Sequence, residues 1–197
     1  KAFQTITFGL KNRARVSGEV TSDVDGQTVE VRLPDDEFEA RLNLLGRHNA
    51  SNALAAASVG WACGCSPEEI RAGLQRVEAQ PGRLQVRAGA RGSTLIDDTY
   101  NANPTSLKAA MRALAARPGR KALILGDMAE LGTRAEEFHT EAGREARQAG
   151  IELLFTCGPL AGLAAEAFGE EGRRFDSPED LIKATRQLLS TGLTVLL

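Results

Sequence analysis

Cysteine and histidine are scarce in this chain: 197 residues hold three cysteines, Cys63, Cys65 and Cys157, and two histidines, His48 and His139. An odd cysteine set without ligand spacing argues against both a disulfide framework and a zinc site. Cys63 and Cys65 flank Gly64, the mark of a helix end rather than of a site. The simplest reading is a reduced, cytosolic protein. Charge of one sign is not in excess either. The net charge is -2 and the pI about 5.8, with no long block of like charges. That argues against a nucleic-acid surface, since neutralising phosphates takes clustered Lys and Arg. No apolar run approaches the ~20 residues of a membrane span. No basic segment precedes an apolar core, so no signal peptide is read. Repeats and low-complexity linkers are absent as well. The length suits one large or two small domains with a real core.

What is present divides near Gln80-Pro81-Gly82-Arg83. Before Arg47 the pattern alternates like β-strands over Ala2–Gly9, Ala14–Val20, Thr28–Leu33 and Glu37–Leu42, with a hairpin signal at Asp25-Gly26. An Ala-rich helix is expected from about Asn49 to Ala62. A second should run from Pro67 to about Val77, with Ser66 and Glu69 as a capping box. Beyond Arg83, strands at Ser93–Ile96, Lys121–Leu125, Ile151–Thr156 and Leu193–Leu197 alternate with helices. Those helices are expected over Thr105–Ala116, Arg134–Ala149, Leu160–Phe168 and from Ser177 to Leu189. Such alternation predicts an α/β fold, a mostly parallel sheet with helices on both faces. The two regions are taken as residues 1–80 and 81–197.

Four constellations are candidates for chemistry. Asp97-Asp98-Thr99-Tyr100-Asn101-Ala102-Asn103-Pro104 follows a buried strand and precedes a helix. It sits where open α/β sheets bind ligands. The bland alternative is a polar connecting loop. Gly126-Asp127-Met128-Ala129-Glu130-Leu131-Gly132 follows the next strand and puts two acids on the same sheet edge. Its bland alternative is a helix cap with solvated acids. In Gly46-Arg47-His48-Asn49-Ala50-Ser51-Asn52, the two asparagines share one face of a helical turn and could read a purine edge. Asn49 as a mere helix cap is the competing account, and a lone histidine such as His48 is more often structural. Arg83 could clamp a phosphate with its planar fork, or be an exposed linker residue. His139, inside a helix, reads as structural or surface-exposed.

The segment Leu45-Gly-Arg-His-Asn-Ala-Ser-Asn-Ala-Leu-Ala-Ala-Ala57 resembles the G-x-H-N-x-x-N-x-x-A-A motif of the Mur ligases and their folylpolyglutamate synthetase relatives. Asp98–Pro104 and Gly126–Gly132 resemble, more narrowly, the branch that joins D-alanyl-D-alanine to UDP-N-acetylmuramoyl-tripeptide. The resemblance covers essentially the whole chain. It implies that residues 1–80 are the β-rich and helical end of a central ATPase domain. Residues 81–197 would be a Rossmann-like C-terminal domain, incomplete at its end.

The implied reaction is ATP-dependent amide synthesis through an acyl phosphate, in cell-wall precursor assembly, with magnesium neutralising phosphate charge. Carried over by motif, Asn49 and Asn52 would face adenine. Arg83 would reach the terminal phosphates, with His48 the other catalytic candidate. Asp98 would hold the ribose, and Tyr100 would line the nucleotide or acceptor pocket. Asn101, Asn103, Asp127 and Glu130 are the substrate-side candidates. No metal ligand is expected in this chain. G-x-x-x-x-G-K-[ST], the loop that cradles phosphates, occurs nowhere in it. In the family that loop, the lysine that helps hold magnesium and a UDP-binding domain lie farther N-terminal. A partial, monomeric, cytosolic ligase is therefore expected, inactive alone. The alternatives are another amide ligase of the superfamily and a non-catalytic nucleotide-binding module.

Overall fold

A computed structural model of the protein describes residues 5–11 and 13–197. The chain forms two compact units, residues 1–79 and 80–197.

In the first unit four strands lie in the order β1 (Phe8–Gly9), β2 (Val16–Ser22), β3 (Gln27–Arg32) and β4 (Glu37–Leu42). β2, β3 and β4 pair antiparallel, while β1 runs parallel to β2. Of the run expected over Ala2–Gly9, residues 2–4 lie outside the described residues. Alternation decides the buried face: Gln27, Val29 and Val31 of β3 point inward, as do Ala40 and Leu42 of β4. Helices α1 (Arg47–Ala62) and α2 (Pro67–Gln75) cover that face. Ala50, Ala53, Leu54 and Ala57 of α1 join Ile70 and Leu74 of α2 and the inward strand residues in one core. The β2–β3 connection is closed by Asp23, whose Oδ1 accepts the amides of Asp25 and Gly26. Arg41 on β4 pairs with the same carboxylate. α2 starts on the expected capping box and stops at Gln75, two residues short of Val77.

The second unit holds six strands in the order β5 (Gln85–Ala88), β6 (Thr94–Asp97), β10 (Leu193–Leu196), β7 (Arg120–Gly126), β8 (Leu153–Cys157) and β9 (Gly172–Phe175). Every pairing is parallel except β5 with β6. The connecting helices are α3 (Pro104–Ala115), α4 (Ala135–Gln148), α5 (Ala161–Phe168) and α6 (Pro178–Leu188). The connection from β6 through α3 to β7 leaves a gap that β10, the last strand, fills. Chain direction along the sheet reverses there. Right-handed crossovers then require α6 on the opposite face from α3, α4 and α5. Side-chain alternation agrees. Leu123, Leu125 and Leu196 lie with Leu107 and Ala110 of α3, whereas Ala122, Leu153, Leu193 and Val195 pack with Leu188 near the end of α6.

The mostly parallel α/β sheet is the one the strand–helix alternation predicts. β5 and β9 are two additions that the pattern did not announce. Both are four-residue edge strands with no fully buried residue, so neither carries an apolar run to betray it.

Candidate functional site

The junction segment is a turn locked onto the end of β6. Arg83 N–H donates to Gln80 O at 3.0 Å. Gly82, at the third turn position after Pro81, has φ +70°, the pattern of a type II turn. A Cβ at Gly82 would lie 2.8 Å from Tyr100 N. The bare backbone is what permits the Tyr100 N–H bond to Gly82 O, 3.1 Å. Leu84 follows in the left-handed region, φ +51°. Such a conformation costs of order 1 kcal/mol for a non-glycine residue and persists where the surroundings enforce it. Here the enforcing group is Asp98, whose Oδ1 accepts the Leu84 amide at 3.0 Å. Between these two bolts the Arg83 guanidinium stacks over the Tyr100 ring, 4.0 Å from its centroid. Both side chains are solvent-exposed.

Asp97 and Asp98 therefore have separate tasks. Asp97 folds the loop on itself, accepting from Thr99 Oγ1 at 2.7 Å and pairing with Arg87 of β5 at 3.2 Å. The Thr99 hydroxyl, then the Thr99 amide and Arg87, hold the Asp97 carboxyl below the usual range, against a partial desolvation cost.

Beyond Tyr100 the loop becomes one wall of a cavity of about 480 Å³ at the carboxyl ends of β6, β10 and β7. Asp98, Asn101 and Asp127 supply polar lining, and Leu107, Ala110, Leu123 and Leu125 an apolar floor. Asn103 is the N-cap of α3. Its Oδ1 accepts the Ser106 amide while Ser106 Oγ returns a contact to Asn103 N, and Pro104 fills the first helical position.

The opposite wall is the β7–α4 loop. Asp127 Oδ1 accepts the amides of Leu160 and Ala161, at 3.0 and 2.6 Å, and so caps the start of α5. Met128 N–H donates to His139 Nε2 at 2.9 Å, and His139 Nδ1 lies 2.7 Å from Ala135 O. His139 is fully buried. Glu130 is exposed and left-handed, φ +60°.

In the first unit, α1 begins at Arg47, two residues before the expected start, with Gly46 (φ +87°) as N-cap. Asn49 is thus inside the first turn and not the cap. Its Nδ2 donates to Leu45 O at 2.8 Å, and its Oδ1 accepts from Asn52 Nδ2 at 3.3 Å. The two amides form a coupled pair, with Asn52 at the exposed end. Each amide has further donor and acceptor capacity, which suits a purine edge. His48 is exposed on the same turn. Beneath it all sits Gln27, 1% exposed, whose Nε2 donates to Leu44 O and Gly46 O at 3.1 and 3.0 Å. Two carbonyls facing one amide nitrogen leave Gln27 Oε1 buried without a partner among the described residues.

The structure brings Arg83, Asp98 and Tyr100 together, and puts Asn101 and Asp127 on one cavity. Glu130 is on the loop that forms its wall but is not among the cavity-lining residues. Gln27 and Leu84 were not singled out from the sequence, although Gln27 occupies an inward position of β3, where a polar residue stands out. No group of three or more His, Cys, Asp or Glu able to hold a metal occurs among the described residues. The side chains described here do not by themselves fit a magnesium cage.

Two family models match the chain: "Mur ligase middle domain" over residues 1–60 and "Mur ligase, glutamate ligase domain" over residues 82–197. The UDP-N-acetylmuramoyl-tripeptide--D-alanyl-D-alanine ligase of Escherichia coli is 38% identical over 165 residues, 84% of this chain and 36% of that protein. A MurF crystal structure from Acinetobacter baumannii superposes with a TM-score of 0.86 at 29% identity, covering 97% of this chain and 43% of that one. MurF of Thermotoga maritima, solved in complex with ADP, gives a TM-score of 0.80 at 26% identity, covering 97% and 44%. This chain spans about two fifths of the length of these relatives. With the middle-domain match in its first unit and the ligase-domain match across its second, the chain belongs to the Mur ligase family.

Proposed function

We propose that the chain serves an ATP-dependent ligase that joins D-alanyl-D-alanine to UDP-N-acetylmuramoyl-tripeptide in peptidoglycan precursor synthesis. The observation that carries this reading is the convergence of the Arg83–Tyr100–Asp98 cluster and the β7–α4 loop on one sheet edge beside a cavity. The D-alanyl-D-alanine ligase relatives and the ADP complex among the similar structures support the choice of substrates.

The tripeptide carboxylate attacks the γ-phosphorus of ATP, the bond to ADP breaks, and an acyl phosphate forms. The dipeptide amine then attacks the carbonyl carbon, loses its proton, and expels phosphate from the tetrahedral intermediate. Arg83 forks onto the transferring phosphoryl group, kept flat by Tyr100 beneath it. The Asp98 carboxylate accepts ribose hydroxyls, oriented by the Leu84 amide. Asn52, steadied by Asn49, reads the adenine edge, with His48 the remaining polar candidate on that turn. Asn101, Asn103, Asp127 and Glu130 belong to the dipeptide side. The apolar floor of the cavity suits two methyl groups. None of these groups is an evident general base, in keeping with catalysis by positioning and electrostatics. Magnesium would neutralise phosphate charge when bound. We take the protein to be a cytosolic monomer. The sequence holds no phosphate loop, so the 197-residue chain alone should bind ATP weakly and show no turnover.

In the ligase that contains this chain, phosphate release from ATP should require UDP-tripeptide and D-alanyl-D-alanine together. Release with UDP-tripeptide and L-glutamate but not the dipeptide would assign the chain to another branch. Asp98→Asn should raise KM for ATP. An unchanged KM would remove Asp98 from the nucleotide site.

A further inference from the structure

We propose that His139 is a positioning residue that holds the β7–α4 loop in its cavity-lining shape, and that it does so as a neutral imidazole protonated on Nδ1. Its link to the dipeptide rests on the ligase reading above.

The argument starts from the partners. Ala135 O can only accept, so the ring nitrogen 2.7 Å from it, Nδ1, carries the proton. A backbone amide can only donate, so Nε2, 2.9 Å from Met128 N, is bare. A second proton would leave two N–H groups facing each other inside a fully buried site.

The loop needs such a strut. α4 has no side-chain N-cap of its own, its N-cap position being Arg134. The approach to it runs through left-handed Glu130 and Gly132, both at φ +60°. Two consecutive residues at the start of the loop are bolted down. Asp127 is tied to α5 through its carboxylate, and Met128 to α4 through His139. The residues around these bolts, Gly126, Asp127 and Ala129, are the ones that line the cavity. Without the imidazole the Met128 amide is buried and unpaired, and the loop must move to hydrate it.

Two variants separate the roles of the ring nitrogens. Gln at 139 reaches the Nε2 position with an acceptor oxygen. Asn supplies a donor near Nδ1 but ends short of Met128. In the ligase that contains this chain, His139→Asn should raise KM for D-alanyl-D-alanine by about 10-fold, the usual weight of a buried hydrogen bond lost from a binding wall. KM for ATP should stay within about 2-fold, and His139→Gln should recover most of the loss. Equal rises in both KM values, or no rescue by Gln, would reduce His139 to a general stabiliser.

Nitrogen-15 NMR of the unsubstituted 197-residue chain tests the geometry without any variant or activity. The expected signature is a protonated Nδ1, an unprotonated Nε2 and a slowly exchanging Met128 amide. The opposite tautomer, or a rapidly exchanging Met128 amide, would overturn the proposal. If the ring and amide signatures hold but ligation of the dipeptide is absent, the strut stands and the ligase reading fails.

Discussion

The two units build their candidate sites by opposite means. In residues 1–79 the chemistry sits on one helical turn, so His48, Asn49 and Asn52 are positioned by the 3.6-residue repeat and by Gly46. In residues 80–197 it sits on loops after β6 and β7, which have no repeat to position them. Those loops are held by side-chain to backbone bonds from elsewhere: Asp98 to Leu84, Asp127 to α5, His139 to Met128. The first unit uses the same device in Gln27 beneath the β4–α1 loop and in Thr7, whose Oγ1 accepts the Arg15 amide. A site on a helix can be written in a short motif, whereas a site on loops needs its supports spread through the chain.

The helix pairs of the two units offer the sharpest contrast. A Cβ on Gly143 of α4 would collide with the backbone carbonyl of Ala164 in α5. One on Gly60 of α1 would meet side-chain atoms instead, Ile70 Cγ1 at 3.0 Å and Cδ1 at 3.4 Å. Gly143→Ala should therefore cost about 3 kcal/mol, while Gly60→Ala should fall within about 1 kcal/mol of neutral because helix propensity offsets the crowding. Urea unfolding midpoints of the two variants measure this. Similar losses would mean that α4 and α5 can separate as easily as Ile70 can turn.

Removing the two buried struts should rank in the same order. His139→Phe strands a buried N–H and should cost about 2–3 kcal/mol. Gln27→Leu strands two carbonyls, which tolerate it better, and also removes the unpaired Oε1, so about 1–2 kcal/mol is expected. A larger loss for Gln27→Leu in the same unfolding measurement would reverse the comparison.

Helix caps come next. Ser66→Ala and Asn103→Ala should each cost about 1 kcal/mol. Only Asn103→Ala should also lower kcat/KM for the dipeptide in the ligase. Equal, purely structural effects would leave Asn103 a cap and nothing more.

The smallest effect is electrostatic. Asp97 and Asp23 both have lowered pKa values, Asp97 chiefly through the Thr99 hydroxyl and Asp23 chiefly through Arg41. A carboxyl lowered in the folded state stabilises above its unfolded pKa, near 4, and loses that contribution as pH falls through the folded value. Asp97→Asn should flatten the acid limb of stability in the second unit. The exposed Asp23–Arg41 pair should respond instead to salt, since water and ions screen it. Unfolding followed at pH 2–5, at low and high ionic strength, separates them.

Much of this organisation was legible beforehand. The capping box at Ser66, the Asp25–Gly26 turn and the parallel strands all rest on local chemistry or on runs of apolar residues. β5 and β9 were hidden because edge strands such as Gly172–Phe175 bury too little to need a pattern. The site was legible where its residues are neighbours, as in Asp98–Asn103. The grip of Asp98 on Leu84 and of His139 on Met128 was not, because nothing in a side chain's identity names a distant amide as its partner. Asp127 shows the same limit, since a loop acid and the cap of a helix beyond the next helix and strand look alike in sequence.

The placement of β10 bears on how the protein is made. Thr194 lies beside Thr94, and Leu197 donates to Ile96 O and accepts from Asp98 N. On a ribosome adding ~5–20 residues per second, β6 and β7 wait on the order of ten seconds with the edges that flank the gap unpaired. The middle of the sheet cannot zip before Leu193–Leu197 clears the exit tunnel. A nascent chain stalled short of that point should bind chaperones that recognise open strands, and release from them should coincide with completion of the cavity lined by Leu196 and Leu197.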